Sequence, residues 1–440
     1  MCARLLAERG WPVEVSLLGE RNGLKGDARS ASGLWEGEVV PFDVFPPEAD
    51  ALVIDALFGA GLNRPLRETI RTRLAAHYEA ASAVIAVDLP SGLNGDARAG
   101  FDAVGSVDLT VSFHRPKPAH RLQPAARVCG EVVIAPIGIP DGWQAEIGPT
   151  ALENREESFW SLLPARHTDT HKHRRGRLVV VSGGALKTGA ARLAARAGLA
   201  IGAGLVTLAG EAEALAVHAA QETAIMLVEL PEAASTRSVL GTTRATTCVI
   251  GPAGGVAEPM RTAVGQLLGS DASAILDADA LTSFQDDPER LFAALRPRDV
   301  LTPHVGEFER LFPGELERSV NRIEAVRRAA DRAGCVVLLK GPDTVIAAPG
   351  EVPVVNTHAS PALATAGSGD VLAGLIGGLI AQGMAGFDAA CLAAWLHGDA
   401  GIRLGGPLTA EALPAAAADS LARLYRMQTQ RLALAKLAWS

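Results

Sequence analysis

The sequence predicts an α/β protein built from two domains in series. Three observations carry this. First, 440 residues exceed what one ordinary hydrophobic core organises and suit two. Second, short runs rich in Val, Ile and Leu alternate with helical stretches along most of the chain, as expected for parallel strands buried on both faces. Third, many of these runs end in a Gly-rich turn or a lone charged residue. In doubly wound folds the loops after the strands gather on one side, where ligands bind.

In the first third, strands are read at 12–19, 50–59, 82–92, 108–113 and 129–139, with a helix over 65–81. The mixed stretch 140–172 reads as the connection between domains. A second series opens with "GRLVVVSGG", a strand running into a Gly-rich turn, and continues with a helix over 189–204. Strands recur at "LVTLAG", "TTCVIGP", "SAILDADAL", "DVLTPH", "CVVLLKG" and "TVIAAPG", and a long helical C-terminus closes the chain. No short-period repeat is present. The expected boundaries are 1–145 for the first domain, 146–171 for the linker and 172–440 for the second domain.

Composition excludes several function classes. The chain is 48% hydrophobic and 20% charged, which is ordinary for a globular protein. A net charge of −8 with no dominant Lys/Arg tract argues against a nucleic-acid surface. The densest basic cluster, His171 to Arg177, reads equally as an anion site or as a solvated entry to the second domain. The five cysteines are scattered and none forms a CxxC pair, so reduced, mostly buried thiols and a cytoplasmic location are expected. No apolar run reaches membrane-spanning length, and "MCARLLAERGWPVEV" lacks a signal-peptide layout.

The most informative segment is "LATAGSGDVLAGLIGGLIAQG", residues 363–383. Gly367, Ser368 and Gly369 can bring bare backbone N–H groups to an anion. A helix starting near Asp370 adds free N–H groups and a positive dipole end. Asp370 there should stay ionised and could take a proton from a bound hydroxyl. A capped, buried Gly-rich helix explains the segment equally well by itself. Its neighbours favour chemistry. "LTPHVGEFERLF" groups His304, Glu307 and Glu309, and "VVLLKGPDTVIAAPG" puts the rare Lys340 at a strand end. "VIGPAGGV" ends a strand in glycines, and "ILDADAL" brings Asp277 and Asp279 to another strand end.

In order, spacing and residue type, these segments resemble the ADP-dependent NAD(P)H-hydrate dehydratases, over about 172–401. The resemblance implies a ribokinase-like fold. It also implies a reaction in which hydrated NADH or NADPH, a damaged cofactor, is restored to NAD(P)H at the expense of ADP or ATP. Phosphorylation turns the hydroxyl into a better leaving group. Carried over, Asp370 contacts the substrate hydroxyl and acts as base. Gly369 binds nucleotide phosphate, and Lys340, Gly341, Pro342, Asp343 and Thr344 hold the nucleotide. His304, Ala190 and Gly254 contact substrate. Magnesium is expected with the nucleotide, held largely by phosphates and water. Relatives often have glycine where Ala362 and Ala366 stand, and "GPGLG" where this chain has "GPAGG". A ribokinase-like small-molecule kinase fits the glycine-aspartate motif equally. A nucleotide-binding regulatory protein is the third reading, opposed by the intact Asp370 and Lys340.

Three N-terminal segments, "DALFGAGLNRPL", "VDLPSGLNGD" and "FHRPKPAHRL", read singly as ordinary strand-to-helix turns. Together they resemble the NAD(P)H-hydrate epimerase domain, which interconverts R and S hydrates and is often fused ahead of the dehydratase. The first domain is then an incomplete Rossmann-like three-layer fold. The resemblance implies that Asp88 contacts substrate as acid/base, with Lys117 its candidate partner. Gly59, Ala60, Gly61, Leu62, Asn63, Arg64 and Pro65 would line the substrate phosphates, and Asp55 and Ser91 match two potassium ligands. The family's opening helices, core strand and Asn-Asn-Gly-Gly-Asp-Gly loop have no counterpart, so the chain is expected to begin in mid-domain. Met1 would then be an internal start, which an intact mass of the native protein decides, and little epimerase activity is expected. The expected partners are NAD(P)H hydrate, ADP and further copies of this chain in a homo-oligomer, with no nucleic acid and no membrane.

Overall fold

The computed structural model describes residues 1–140, 142, 147–164 and 175–437. The chain divides into two compact units, Met1–Asp141 and Gly142–Ser440. Among the described residues no helix is long and apolar enough to cross a membrane.

The first unit contains two parallel sheets. In the smaller, β1 (Val15–Leu17) pairs with β2 (Val39–Pro41). The larger runs in the order β3 (Leu52–Asp55), β4 (Ala83–Val87), β5 (Leu109–Phe113), β6 (Glu131–Ala135). The apolar run read at 12–19 therefore forms a strand outside the main sheet, and β2 went unread. A three-residue strand carries too little periodicity to declare its neighbour. Register sets up the site: Asp55 lies opposite Ala86, and Val87 lies opposite Val111. The ends of β3, β4 and β5 are thereby level, so Asp55, Asp88 and Ser112 fall at one edge. The helix Glu68–Ala80 packs its buried Ile70 and Leu74 with Phe42. A second cluster, Leu89, Leu93, Ala119, Ala125 and Cys129, lies under the loops that follow β4 and β5.

The second unit is built on a ten-stranded sheet. Its strands in chain order are β7 (Leu152–Glu153), β8 (Arg177–Val181), β9 (Leu205–Gly210), β10 (Met226–Glu229) and β11 (Thr247–Ile250). They continue as β12 (Ser273–Leu276), β13 (Val300–Leu301), β14 (Val336–Leu339), β15 (Thr344–Ala347) and β16 (Val354–Asn356). The spatial order is 10-9-8-11-12-13-14-15-16-7. Strands from β10 to β14 are parallel, and β15 pairs antiparallel with both β14 and β16. Strand order reverses between β8 and β11, the kind of crevice where open α/β sheets bind ligands.

Part of the stretch read as linker belongs to this unit. β7 pairs with β16, and Asn154 donates to Asn356 Oδ1 and to the Cys391 carbonyl, each at 2.8 Å. Phe159 is buried in the main core and packs with its ring tilted against Trp395. His171, His173 and Arg174 of the basic cluster lie outside the described residues.

The glycines of "AGLIGGLI" have a packing reason. The helix Ser368–Ala381 is buried along nearly its whole length, between the helix Gly189–Ala200 and the sheet. A Cβ at Gly374 would run into the Ala194 carbonyl, and one at Gly377 would lie 2.9 Å from Leu178 Cδ1 and 3.0 Å from Val249 Cγ2. Gly378 meets Gly198 and Ile201. This close approach on two sides fixes where the helix begins and therefore where Asp370 stands.

Candidate active site

Four consecutive parallel strands, β11 to β14, end at the second unit's site. The loop after β11 is the Gly251–Gly255 turn, with Gly254 packed so that a Cβ would strike Met260. The loop after β12 carries Asp277 and Asp279. His304 follows β13 and Lys340 follows β14, and the two extend the strand pairing as a parallel bridge. Asp279 Oδ2 accepts from the Gly255 N–H at 2.8 Å, tying the first two loops together. Gly183, after β8, faces Ala253 so closely that no side chain fits between them. The helix that follows carries Ala190 as its second residue, and Leu193, one turn on, lies beside Gly367.

Gly367 caps the helix Ser368–Ala381 with φ of 86°, a left-handed conformation that glycine adopts without cost. The helix begins two residues before Asp370. Ser368 Oγ lies 3.0 Å from Nε2 of His397, on the neighbouring helix Gly386–Leu404. Burial pushes His397 down to about 4, so it is neutral near pH 7.

Lys340 is the centre of the charges. Its Nζ donates to Asp277 Oδ1 at 2.7 Å and lies 3.8 Å from Glu307 Oε2. A Cβ on Gly369 would stand 3.5 Å from the same Nζ. Burial opposes the Lys340 charge, but Asp277, Glu307 and Asp370 outweigh it and raise its pKa. Asp370 moves the other way from a simple helix N-terminal carboxylate. Burial and the Asp277 charge raise it to about 6, against the lowering pull of Lys340. It is ionised at neutral pH, as expected from sequence, yet a stronger base than an ordinary aspartate.

His304 is exposed and oriented. Its Nδ1 accepts from the N–H groups of Gly306 (2.9 Å) and Glu307 (3.2 Å), and the Glu307 carboxylate accepts from the His304 N–H at 2.8 Å. The free proton is thus on Nε2, 3.3 Å from Glu307 Oε1. Lys340 to Thr344 forms a closed turn, in which Thr344 Oγ1 donates to the Gly341 carbonyl at 2.8 Å. Asp343 is fully buried and ion-paired with Arg322. Pro342 is exposed, and Gly341 and Thr344 are partly so.

The first unit has its own constellation. Asp88 adopts φ of 73°, a strained value for a residue with a side chain, at the end of β4. Its carboxylate accepts from Lys117 Nζ at 2.6 Å, Ser112 Oγ at 3.0 Å and the Ala60 N–H at 2.8 Å. A Cβ on Gly59 would lie 2.7 Å from Asp88 Oδ2, so only glycine permits that approach. Burial pushes the carboxyl up, but the Lys117, Ala60 and Ser112 contacts outweigh it and hold it below the usual range. His120 braces the group from behind. Its Nδ1 accepts from the Lys117 N–H at 3.0 Å, so Nε2 donates to the Asp88 carbonyl at 2.8 Å. Beside this pair, Ala60, Gly61, Asn63, Arg64 and Pro65 are exposed, and Leu62 is buried with its carbonyl accepting from Asn94.

Asp55 and Ser91 are both buried and already engaged. Asp55 Oδ1 accepts from the Ser91 hydroxyl (2.7 Å) and the Leu57 N–H (3.2 Å). Its Oδ2 accepts from the Tyr78 hydroxyl (2.6 Å) and the Ser91 N–H (2.8 Å). An ionised carboxylate offers about four acceptor directions, and four donors use them. The Ser91 hydroxyl also accepts from the Phe58 N–H at 3.1 Å. As placed, these side chains do not fit a potassium ion. Among the described residues, no cluster of three or more His, Cys, Asp or Glu side chains is arranged to hold a metal.

The sequence reading missed Ser112, His120 and His397, and gave Asp277 no role. A lone polar residue on an apolar strand or helix is the only local signal any of them carries.

Known proteins share these arrangements. A family model described as NAD(P)H-hydrate dehydratase matches residues 178–423, and one described as YjeF-related protein N-terminus matches residues 1–119. The bifunctional NAD(P)H-hydrate repair enzyme of Coxiella burnetii is 32% identical, covering 90% of this chain and 80% of its own. That of Moorella thermoacetica is 36% identical, over 91% and 79%. Among solved structures, the ADP/ATP-dependent NAD(P)H-hydrate dehydratase of Bacillus subtilis, co-crystallised with ATP and Mg2+, superposes with a TM-score of 0.52 at 26% identity. It covers 63% of this chain and 99% of its own. A ribokinase-like protein from Enterococcus faecalis gives a TM-score of 0.55 at 24% identity, over 62% and 96%, and shows the same fold. Both units, each carrying its own charged centre at the ends of parallel strands, thus fall within one match that spans about nine-tenths of the chain, and the chain belongs to the family of bifunctional NAD(P)H-hydrate repair enzymes.

Proposed function

We propose that the second unit dehydrates the S epimer of NAD(P)H hydrate using ADP, and that Asp88 and Lys117 of the first unit interconvert the R and S epimers. The observation that carries the first part is Asp370. It is a half-buried carboxylate with raised basicity, in the first turn of a helix capped by Gly367. Asp370 takes the proton of the substrate hydroxyl as that oxygen attacks the terminal phosphorus of ADP. The oxygen–phosphorus bond forms and the bond to the departing AMP breaks. The phosphate then leaves together with a ring proton, which restores the ring double bond of NAD(P)H. The helix N-terminus and Lys340 stabilise the charge that grows on the phosphoryl oxygens. The Nε2–H of His304 is available to a substrate acceptor, and Gly254 and Ala190 would line the same crevice. Pro342, Gly341 and Thr344 would hold the nucleotide, with Asp343 shaping the turn through Arg322.

Magnesium would arrive with the nucleotide and screen its phosphates. Such a cation is held mainly by phosphate and water. No step is assigned to potassium.

In the first unit, Asp88 is held ionised by three donors, so it is a weak base and proton transfer there should be slow. A mixture of R and S hydrates tests this. With ADP and magnesium, NADH recovery should run quickly through the S fraction and then slow to the rate of interconversion. Lys117→Ala should drop the slow phase to the uncatalysed rate, read as absorbance against time. A slow phase untouched by that substitution would contradict the assignment.

A further inference from the structure

The turn Asp277–Ala278–Asp279 takes no part in the chemistry just described, yet it is strained, and its first residue is buried. Ala278 has φ of 50° and ψ of −117°, outside the comfortable range of a residue with a Cβ. Such strain persists only where the surroundings over-determine it. Here both neighbours are tied: Asp279 to the Gly255 N–H at 2.8 Å, and Asp277 to Lys340 Nζ at 2.7 Å. Asp277 is only 2% exposed, so its charge is poorly screened and acts on its surroundings at short range.

Asp277 at 2.7 Å and Glu307 at 3.8 Å flank the single ammonium of Lys340, which also stands beside Gly369, the chain neighbour of a third carboxylate, Asp370. The charges do not balance, and the excess falls on the carboxylate that forms no ion pair with Lys340 in the structure, Asp370. Asp277 thus both removes Lys340 from Asp370 and repels a negative charge on it. His397 lies on the facing helix but is neutral near pH 7 and adds no charge. Glu307 reaches Asp370 through Lys340, and His304 is turned toward Glu307.

We propose that Asp277 is a positioning residue that parks Lys340 at the end of β14 and sets the basicity of Asp370. The proposal rests on the assignment of Asp370 as base. Its physical content, a coupling between two carboxylates, can be read without turnover. Burial is the larger cause of the shift in Asp370 and the Asp277 charge the second, so loss of that charge should reduce the shift without erasing it.

The test is a carboxyl-carbon NMR titration of the full chain labelled at its aspartate carboxyls, with the Asp370 signal identified by its loss in Asp370→Asn. In the wild-type chain Asp370 should titrate near pH 6. In Asp277→Asn, which keeps the shape and can still accept from Lys340, the midpoint should fall toward the ordinary aspartate range near ~4. Asp277→Glu keeps the charge and should hold the midpoint near the wild-type value, which a purely structural role of the turn would not produce. The acid limb of the pH–rate profile should move with the midpoint, to lower pH in Asp277→Asn. An Asp370 midpoint unmoved by Asp277→Asn overturns the proposal while leaving the dehydratase assignment intact. A midpoint that moves without any NADH recovery in the wild-type chain removes the dehydratase assignment and leaves the coupling standing. If Asp277→Asn does not fold, Asp277→Ser provides the same charge loss, and an unmoved midpoint there overturns the proposal equally.

Discussion

Replacing Asp370 with alanine should reduce ADP-dependent NADH recovery by about 10²–10⁴-fold, the usual contribution of a positioned general base. Nucleotide binding should survive. The proposed phosphate cradle consists of backbone N–H groups of the Gly367–Gly369 turn and the first turn of the helix, none of which belongs to the Asp370 side chain. Removing a carboxylate beside the phosphates also removes a repulsion, so ADP should bind as well as before or more tightly. The helix itself should be unperturbed, because it is held along its length by the close approach of Gly374 to Ala194 and of Gly378 to Gly198. Turnover and an ADP binding isotherm on the same preparation check both halves. Unchanged turnover would remove Asp370 from the chemistry, and lost ADP binding would make it a structural residue.

Lys340→Met should be damaging in two ways. Asp277 loses its partner at 2.7 Å while remaining 2% exposed, and Glu307 loses a cation at 3.8 Å. Stranding one member of a buried pair typically costs about 3–5 kcal/mol. The second unit should therefore unfold at lower denaturant concentration. Turnover should fall by at least ~10²-fold, since the same ammonium stands beside Gly369 and in the proposed reaction stabilises the transferring phosphoryl group. The pH dependence has a definite sign. Lys340 lowers the pKa of Asp370, so its removal should shift the Asp370 midpoint above about 6, opposite to the effect of Asp277→Asn. Equilibrium unfolding and the residual pH–rate profile check the two effects independently. A stable variant with an unshifted acid limb would mean that Lys340 neither neutralises Asp277 nor acts on Asp370.

The two substitutions mark what could be read from the chain before its structure. Asp370, His304 and Lys340 were legible because each follows a strand-like run or opens a helix, and parallel strands bring their C-terminal ends to one edge. Asp277 was visible as a strand-end residue, but its pairing with Lys340, 63 positions away, is set by strand order, which periodicity does not encode. The same limit hid the separation of β1 and β2 from the main sheet of the first unit, and the joining of β7 to β16 across the second. Short strands such as β10, β16 and β7 carry too few residues for an alternation to stand out. The Asp55 carboxylate is the clearest case of a residue whose type allowed two roles. A buried aspartate can hold a cation or accept from four donors, and only the positions of Tyr78, Leu57 and Ser91 distinguish them. The acid/base role of Asp88 came from the resemblance of its segment to the epimerase domain. Its weakness as a base comes first from Lys117 and then from Ala60 and Ser112, and no local pattern connects the last two to it.

The central claim is that phosphoryl transfer at Asp370 serves elimination. The most direct measurement mixes the wild-type chain with hydrated NADH, ADP and magnesium, and follows the reduced-nicotinamide absorbance together with AMP. The account requires one NADH recovered for each AMP formed, with no lasting phosphorylated nicotinamide. A stable phosphorylated product with no recovered NADH would make the second unit a kinase and contradict it.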